Sequence, residues 1–336
     1  MQKVTSSQTI RRARARLGLQ PVAPINEDEQ IAERHRLWWS RVRVALREPL
    51  AEFLGMVIMV LLGSSSSAQV LLSKGQQTAP GGNGYGPYQN INWGWGIGTM
   101  LGLYVAGDSG AYLNPAVTLA NCIFRQLPWR RFPTYAMAQF LGALVGTGIV
   151  YANYINAIDQ YEGYRIRTVP PNPTATASIF CTFPQPFLTK ASQFVSEFIA
   201  SAILVIVVFA FRDPRNNGIE KFPLMMFFLW FGLGAGFGWN TGYSLNPARD
   251  LGARVMATLL GYGSEIWTAG DYYFIIQETA PFCGCVFGGL LYDLFIYTGI
   301  SPVNTPWMGL KHILRPDYAF GVAKARRYKD VEEGDT

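Results

Sequence analysis

Long apolar runs separated by short polar breaks dominate the chain. Runs at about 49–72, 91–107, 133–155, 191–211, 222–240 and 272–298 approach or exceed the ~20 residues that cross a bilayer as a helix. The pattern predicts six transmembrane helices. Two further apolar segments, 115–125 and 247–260, are too short to span, and the same tripeptide opens each. Residues 109–118 read SGAYLNPAVT and residues 241–250 read TGYSLNPARD.

Asn is among the strongest N-caps, because its side-chain oxygen accepts from a free backbone N–H of the first turn. Pro suits the first helical position, where its missing N–H costs nothing. Asn114-Pro115-Ala116 and Asn246-Pro247-Ala248 are therefore each expected to start a half-helix. Non-helical backbone at membrane depth persists only where it lines a cavity or is buried in protein. Short, Gly/Pro-interrupted segments in matching halves of a chain point to a permeation site. The halves also match at Ala51-Glu52-Phe53 and Ser196-Glu197-Phe198. Three spans per half is an odd number, so the second copy must insert upside down. The expected fold is an all-α membrane protein with six transmembrane helices plus two half-helices in inverted repeats.

Composition agrees. The 336 residues are 49% hydrophobic and only 15% charged, against about 25% charged in soluble domains. The net charge of +6 would raise nucleic acid as a partner in a soluble protein. Here the basic residues sit in the tails and short loops, which argues for orientation in a lipid bilayer and against nucleic acid. Counting Lys and Arg puts 22 on the side of both termini and 6 on the other, so both termini are expected to be cytoplasmic. Three regions follow: a basic N-terminal tail over 1–48, a channel domain over 49–298 and a C-terminal tail over 299–336. Residues 34–47, with Trp38, Trp39 and five arginines, read as an amphipathic juxtamembrane segment on the anionic leaflet or as a simple topology anchor. The start of the tail is expected to be unstructured. The four cysteines and two histidines show no metal-ligand spacing, and no nucleophile–base set is visible. No enzyme, cofactor or metal is expected.

Three kinds of side chain carry the candidate chemistry. Two helix N-termini meeting at mid-membrane place positive dipole ends at the pore centre. If Asn114 and Asn246 cap through oxygen, each amide NH2 is left to face the pore and donate to a passing oxygen. Arg249 stands in the first turn after Asn246, where a cation opposes the dipole and is costly in a membrane. That marks it as functional, with an ion pair to Asp250 as the alternative. Glu52 and Glu197 are mid-span carboxylates at equivalent positions.

The doubled Asn-Pro-Ala motif resembles the major intrinsic proteins over about residues 49–298. NPARD, with Asp250 after Arg249, resembles the aquaglyceroporin branch, in its eukaryotic, fungal-like form. The resemblance implies a passive channel for glycerol and water, with urea and other small polyols as further solutes, and a homotetramer with one pore per protomer. It places a selectivity filter at Trp95, Gly234, Tyr243 and Arg249. Trp95 assumes a one-residue deletion before SGA; without it the position falls on Gly94, and Trp93 is a neighbouring candidate. Gly234 stands where water-only channels carry histidine and is expected to leave width. In the family, carboxylates at the positions of Glu52 and Glu197 hold the half-helix loops. Two departures stand out: Tyr112 in place of the family's histidine, and Gln277-Glu278 where the glycerol branch shows Pro and an aliphatic residue. A water-selective channel and a poorly conducting membrane scaffold or sensor are the alternatives. The plasma membrane is the expected location.

Overall fold

The computed structural model describes residues 8–20, 38–74, 84–216, 218 and 221–304; at 8, 9 and 108 it describes the backbone alone. No strand occurs among them. A short helix α1 (Gln8–Arg16) and a second, α2 (Trp38–Ala45), precede the bundle. The bundle itself comprises α3 (Arg47–Leu72), α4 (Tyr88–Ala106), the half-helix α5 (Pro115–Phe124) and α6 (Arg131–Glu162). Then come α7 (Lys190–Arg212), α8 (Phe222–Thr241), the half-helix α9 (Pro247–Ala257) and α10 (Glu265–Phe295).

Five of these helices, α3, α6, α7, α8 and α10, are long and apolar enough to cross a membrane. The remaining expected span, α4, has 19 residues, enough in length. Its polar Gln89, Asn90 and Asn92 and its glycines lower its hydropathy. α10 is broken near its start: Ala269 is extended, and Gly270, Asp271 and Tyr272 are left-handed. Its continuous part therefore begins beside the expected residue 272.

The packing repeats itself across the two halves. α3 packs on α4 and α6, as α7 packs on α8 and α10. Each half-helix lies against the last span of the other half, α5 on α10 and α9 on α6, and α4 meets α8. Glycine permits the tightest of these crossings. A Cβ at Gly142 on α6 would stand 2.4 Å from the Phe53 carbonyl oxygen, and one at Gly284 on α10 would stand 2.3 Å from that of Phe198. Phe53 and Phe198 end the two matching Glu-Phe triplets, so the sequence repeat and the packing repeat coincide.

The start of the N-terminal tail, residues 1–7, lies outside the described residues. Residues 8–16 are helical, because Arg14 is anchored: its guanidinium pairs with Glu48 at 2.5 Å and donates to the Val44 carbonyl at 2.7 Å. Arg131 donates to the Gly18 carbonyl at 2.8 Å. In α2, Trp38 and Trp39 are exposed. Residues 34–37 of the juxtamembrane segment and most of the C-terminal tail, 305–336, lie outside the described residues.

Candidate functional site

The site is built where the two half-helices meet. Asn114 caps α5, its Oδ1 accepting from Ala116 N at 2.8 Å and Val117 N at 3.4 Å. Asn246 caps α9, accepting from Arg249 N at 3.3 Å. Pro115 and Pro247 hold the first helical positions, and Ala116 and Ala248 are buried beside them. The amide NH2 groups are not wholly left to the lumen as expected. Asn114 Nδ2 donates to the Leu245 carbonyl at 2.7 Å, and Asn246 Nδ2 donates to the Leu113 carbonyl at 2.6 Å. Each asparagine thereby ties its own loop to the other half. An amide nitrogen carries two hydrogens, so Asn114 keeps one donor for a passing oxygen, while the second of Asn246 faces Met56 Sδ at 4.0 Å.

The loops before the caps have matching, strained backbones. Ala111 and Leu113 in one, and Tyr243 and Leu245 in the other, have φ between 40° and 54°. Left-handed non-glycine residues cost of order 1–3 kcal/mol each and persist where their surroundings over-determine them. Two fully buried carboxylates do so here. Glu52 accepts from Tyr112 N at 2.9 Å, Leu113 N at 2.8 Å, Ser109 Oγ at 2.5 Å and Gln139 Nε2 at 2.8 Å. Glu197 accepts from Ser244 N at 3.1 Å, Leu245 N at 3.0 Å and the Tyr273 hydroxyl at 3.1 Å.

Above this junction opens a vestibule of about 1460 Å³, with Trp95, Tyr243 and Arg249 in its wall. The proline-rich loop after α6 contributes Pro170, Pro171 and Thr182 to the same wall. The Arg249 guanidinium lies over the Trp95 ring, 4.4 Å from its centroid. Among the three second-span candidates, Trp95 is thus the one beside Arg249. Trp93 is half exposed and packs on Phe227 and Phe231, while a side chain at Gly94 would strike Ser66. Gly234 is not an open notch. A Cβ there would stand 2.4 Å from Asn92 Oδ1 and 2.8 Å from Tyr243 Cζ, so the width a histidine would fill is already taken by Tyr243 and Asn92.

Asp250 is fully buried. It accepts from Thr182 N at 2.7 Å and Thr182 Oγ1 at 2.8 Å, and it pairs with Arg254 at short range. Its distance to Arg249 is 3.5 Å, so Arg254 is the closer partner. Arg254 also donates to the carbonyls of Ile266 and Thr182, each at 2.6 Å. Its place four residues after Asp250 was the sequence signal for this pair. Gln277 is buried next to Ser244; with its amide turned to match both ends, it donates to Asp250 at 2.9 Å and Glu278 at 3.0 Å. The sixth-span departure thus joins the polar network behind the second loop.

On the side of the junction away from the vestibule the space is small. Tyr112, Arg212, Phe222, Leu113 and Asn114 surround a space of about 20 Å³. Arg212 lies 4.3 Å over the Phe222 ring and 5.1 Å over that of Tyr112, and it donates to the Gly110 carbonyl at 2.5 Å.

Comparison with known proteins places this geometry. The family model described as "Major intrinsic protein" matches residues 39–292. "Aquaglyceroporin-9" of Botryotinia fuckeliana is 55% identical over 292 residues, 86% of this chain and 62% of that protein; the chain thus spans less than two thirds of that relative. "Probable aquaglyceroporin-2" of Gibberella zeae is 54% identical over 280 residues, 83% of this chain and 81% of that protein. The X-ray structure of the aquaglyceroporin from Plasmodium falciparum superposes with a TM-score of 0.65 at 30% identity, covering 75% of this chain and 96% of that one.

Proposed function

The chain belongs to the major intrinsic protein family, and on that premise we propose that it is a passive channel for glycerol and other small uncharged solutes together with water. It is an integral membrane protein of helical spans. It performs no covalent chemistry and needs no cofactor. The observation that carries the polyol reading is the make-up of the vestibule floor. Trp95 and Tyr243 offer apolar ring surface to the carbon chain of a polyol, and Arg249 stands over Trp95 with donors for its hydroxyls. A water-only pore needs no such apolar corner. The naming of two relatives that are more than half identical as aquaglyceroporins supports the same reading.

Exclusion of ions follows from charge placement. Two helix N-termini and Arg249 put positive potential along the path and repel cations. The asparagine donors fix the orientation of each passing hydroxyl, which interrupts a proton relay. Urea and small polyols beyond glycerol fall in the same solute class. The exposed aromatic faces of α4 and α8, with Trp93, Tyr104, Phe228 and Trp239, are unusual in their density. They suit a lipid-facing belt; the tetramer rests on the family resemblance. Both termini lie in the cytoplasm on the Lys/Arg distribution, with the plasma membrane as the site of action.

The test uses the full chain in proteoliposomes carrying an internal pH-sensitive dye. Inward gradients of glycerol and urea should each drive re-swelling, while an imposed proton gradient should decay no faster than in empty vesicles. Proton leak at the rate of solute entry would refute the exclusion argument.

A further inference from the structure

Resting on the polyol reading above, we propose that Asn92 is a positioning residue that sets the width of the filter by holding Tyr243 back from the lumen. Asn92 lies on α4 and is only 2% exposed. Its Oδ1 accepts from the Tyr243 hydroxyl at 3.2 Å, across 151 residues of sequence.

The surroundings of that bond explain why it controls width. Tyr243 sits in the second loop with φ 40°, three residues before Asn246. Its ring leans into the face of α8 where Gly234 and Gly238 stand. A Cβ at Gly238 would come 3.2 Å from Tyr243 Cδ1, and one at Gly234 would come 2.8 Å from Tyr243 Cζ. The same face receives Tyr88, whose hydroxyl donates to the Gly234 carbonyl at 3.2 Å. The absence of side chains on α8 provides the recess, and Asn92 is the latch at its back.

The chemistry of the latch matters as much as its position. A tyrosine in a filter wall has a polar tip that can either enter the lumen or turn away. A buried hydroxyl needs a partner, and Asn92 supplies one behind the ring. The lumen therefore meets the ring itself, and the hydroxyl does not compete with Arg249 for a passing polyol. Without the Asn92 acceptor, the hydroxyl is left in a recess whose other polar groups, the Tyr88 hydroxyl and the Gly234 carbonyl, already pair with each other, and it regains a partner by swinging toward water in the vestibule. The ring then narrows the passage at the level of Trp95 and Arg249. Glycerol, being wider than water, loses most.

The experiment is a double-mutant cycle of Asn92→Leu and Tyr243→Phe in proteoliposomes, reading glycerol and water permeability by stopped-flow light scattering. Asn92→Leu is expected to lower the glycerol-to-water ratio on the order of three- to tenfold, the scale of one lost hydrogen bond. In the Tyr243→Phe background the same substitution should leave the ratio unchanged, because no hydroxyl remains to be stranded. Asn92→Asp, which keeps an acceptor at the same place, should retain the wild-type ratio and serves as the second variant if Asn92→Leu does not fold. Equal losses of ratio in both backgrounds, or no change in either, would overturn the proposal. If the wild type passed water but no glycerol, the polyol reading would fail. The latch would then be judged on water flow, where Asn92→Leu must still act only when Tyr243 carries its hydroxyl.

Discussion

Asp250 receives Arg254, Thr182 and, at longer range, Arg249, so its loss would strand a cation at the core. Arg254 is fully buried, and breaking a buried pair by removing one partner costs about 3–5 kcal/mol. Asp250→Ala is expected to lower the thermal unfolding midpoint in detergent sharply; an unchanged midpoint would show that Arg254 finds other compensation. The residue scale is also where sequence reading was most uneven. Asp250 stood out through its place in NPARD, but its pairing with Arg254 was not read, although the i, i+4 spacing offered it. Asn92 and Arg212 gave no local signal, because their partners arise only from the fold. Gly234 was expected to leave width, yet a Cβ there would meet Asn92 and Tyr243, so it makes room for those side chains.

The half-helices show what a local pattern can specify. Capping is a matter of a few consecutive residues, so the helix starts at Pro115 and Pro247 were legible in Asn-Pro-Ala alone. The crossed bonds from Asn114 and Asn246 to Leu245 and Leu113 span more than a hundred residues and were not. The break at 269–272 in α10 falls where the sixth span was expected to begin, at 272. Asn114→Ala is expected to cost about 1 kcal/mol for the cap and as much again for the crossed bond, and to lower both water and glycerol flow. Glu52→Ala should do more, because Tyr112 N and Leu113 N would be left buried without an acceptor, at about 1–3 kcal/mol each. Circular dichroism melts alongside flux assays would separate the two; a Glu52→Ala protein as stable and conductive as the wild type would contradict the loop-holding role.

On the scale of the whole molecule, the two mouths are unequal. About 1460 Å³ opens on one side, while the opposite side narrows to about 20 Å³ among Tyr112, Arg212 and Phe222, room for about one water. Tyr112 and Arg212 line this smaller space. Tyr112→Ala is expected to raise glycerol flow severalfold and water flow less; no gain in either would place the limiting step elsewhere, as at the level of Trp95 and Arg249. The bundle and its duplication were legible because hydrophobic length and an odd number of spans per half are properties of the chain itself. The asymmetry of the mouths was not, since it depends on which side chains converge from α5, α7 and α8. The measurement that bears most directly on the account is stopped-flow light scattering of proteoliposomes under separate water and glycerol gradients, for the wild type and Arg249→Ala. The wild type should pass both, with glycerol entry far above that of empty vesicles, and loss of Arg249 should change glycerol flow more than water flow. Fast water flow with no glycerol entry in the wild type would contradict a polyol filter at Trp95, Tyr243 and Arg249.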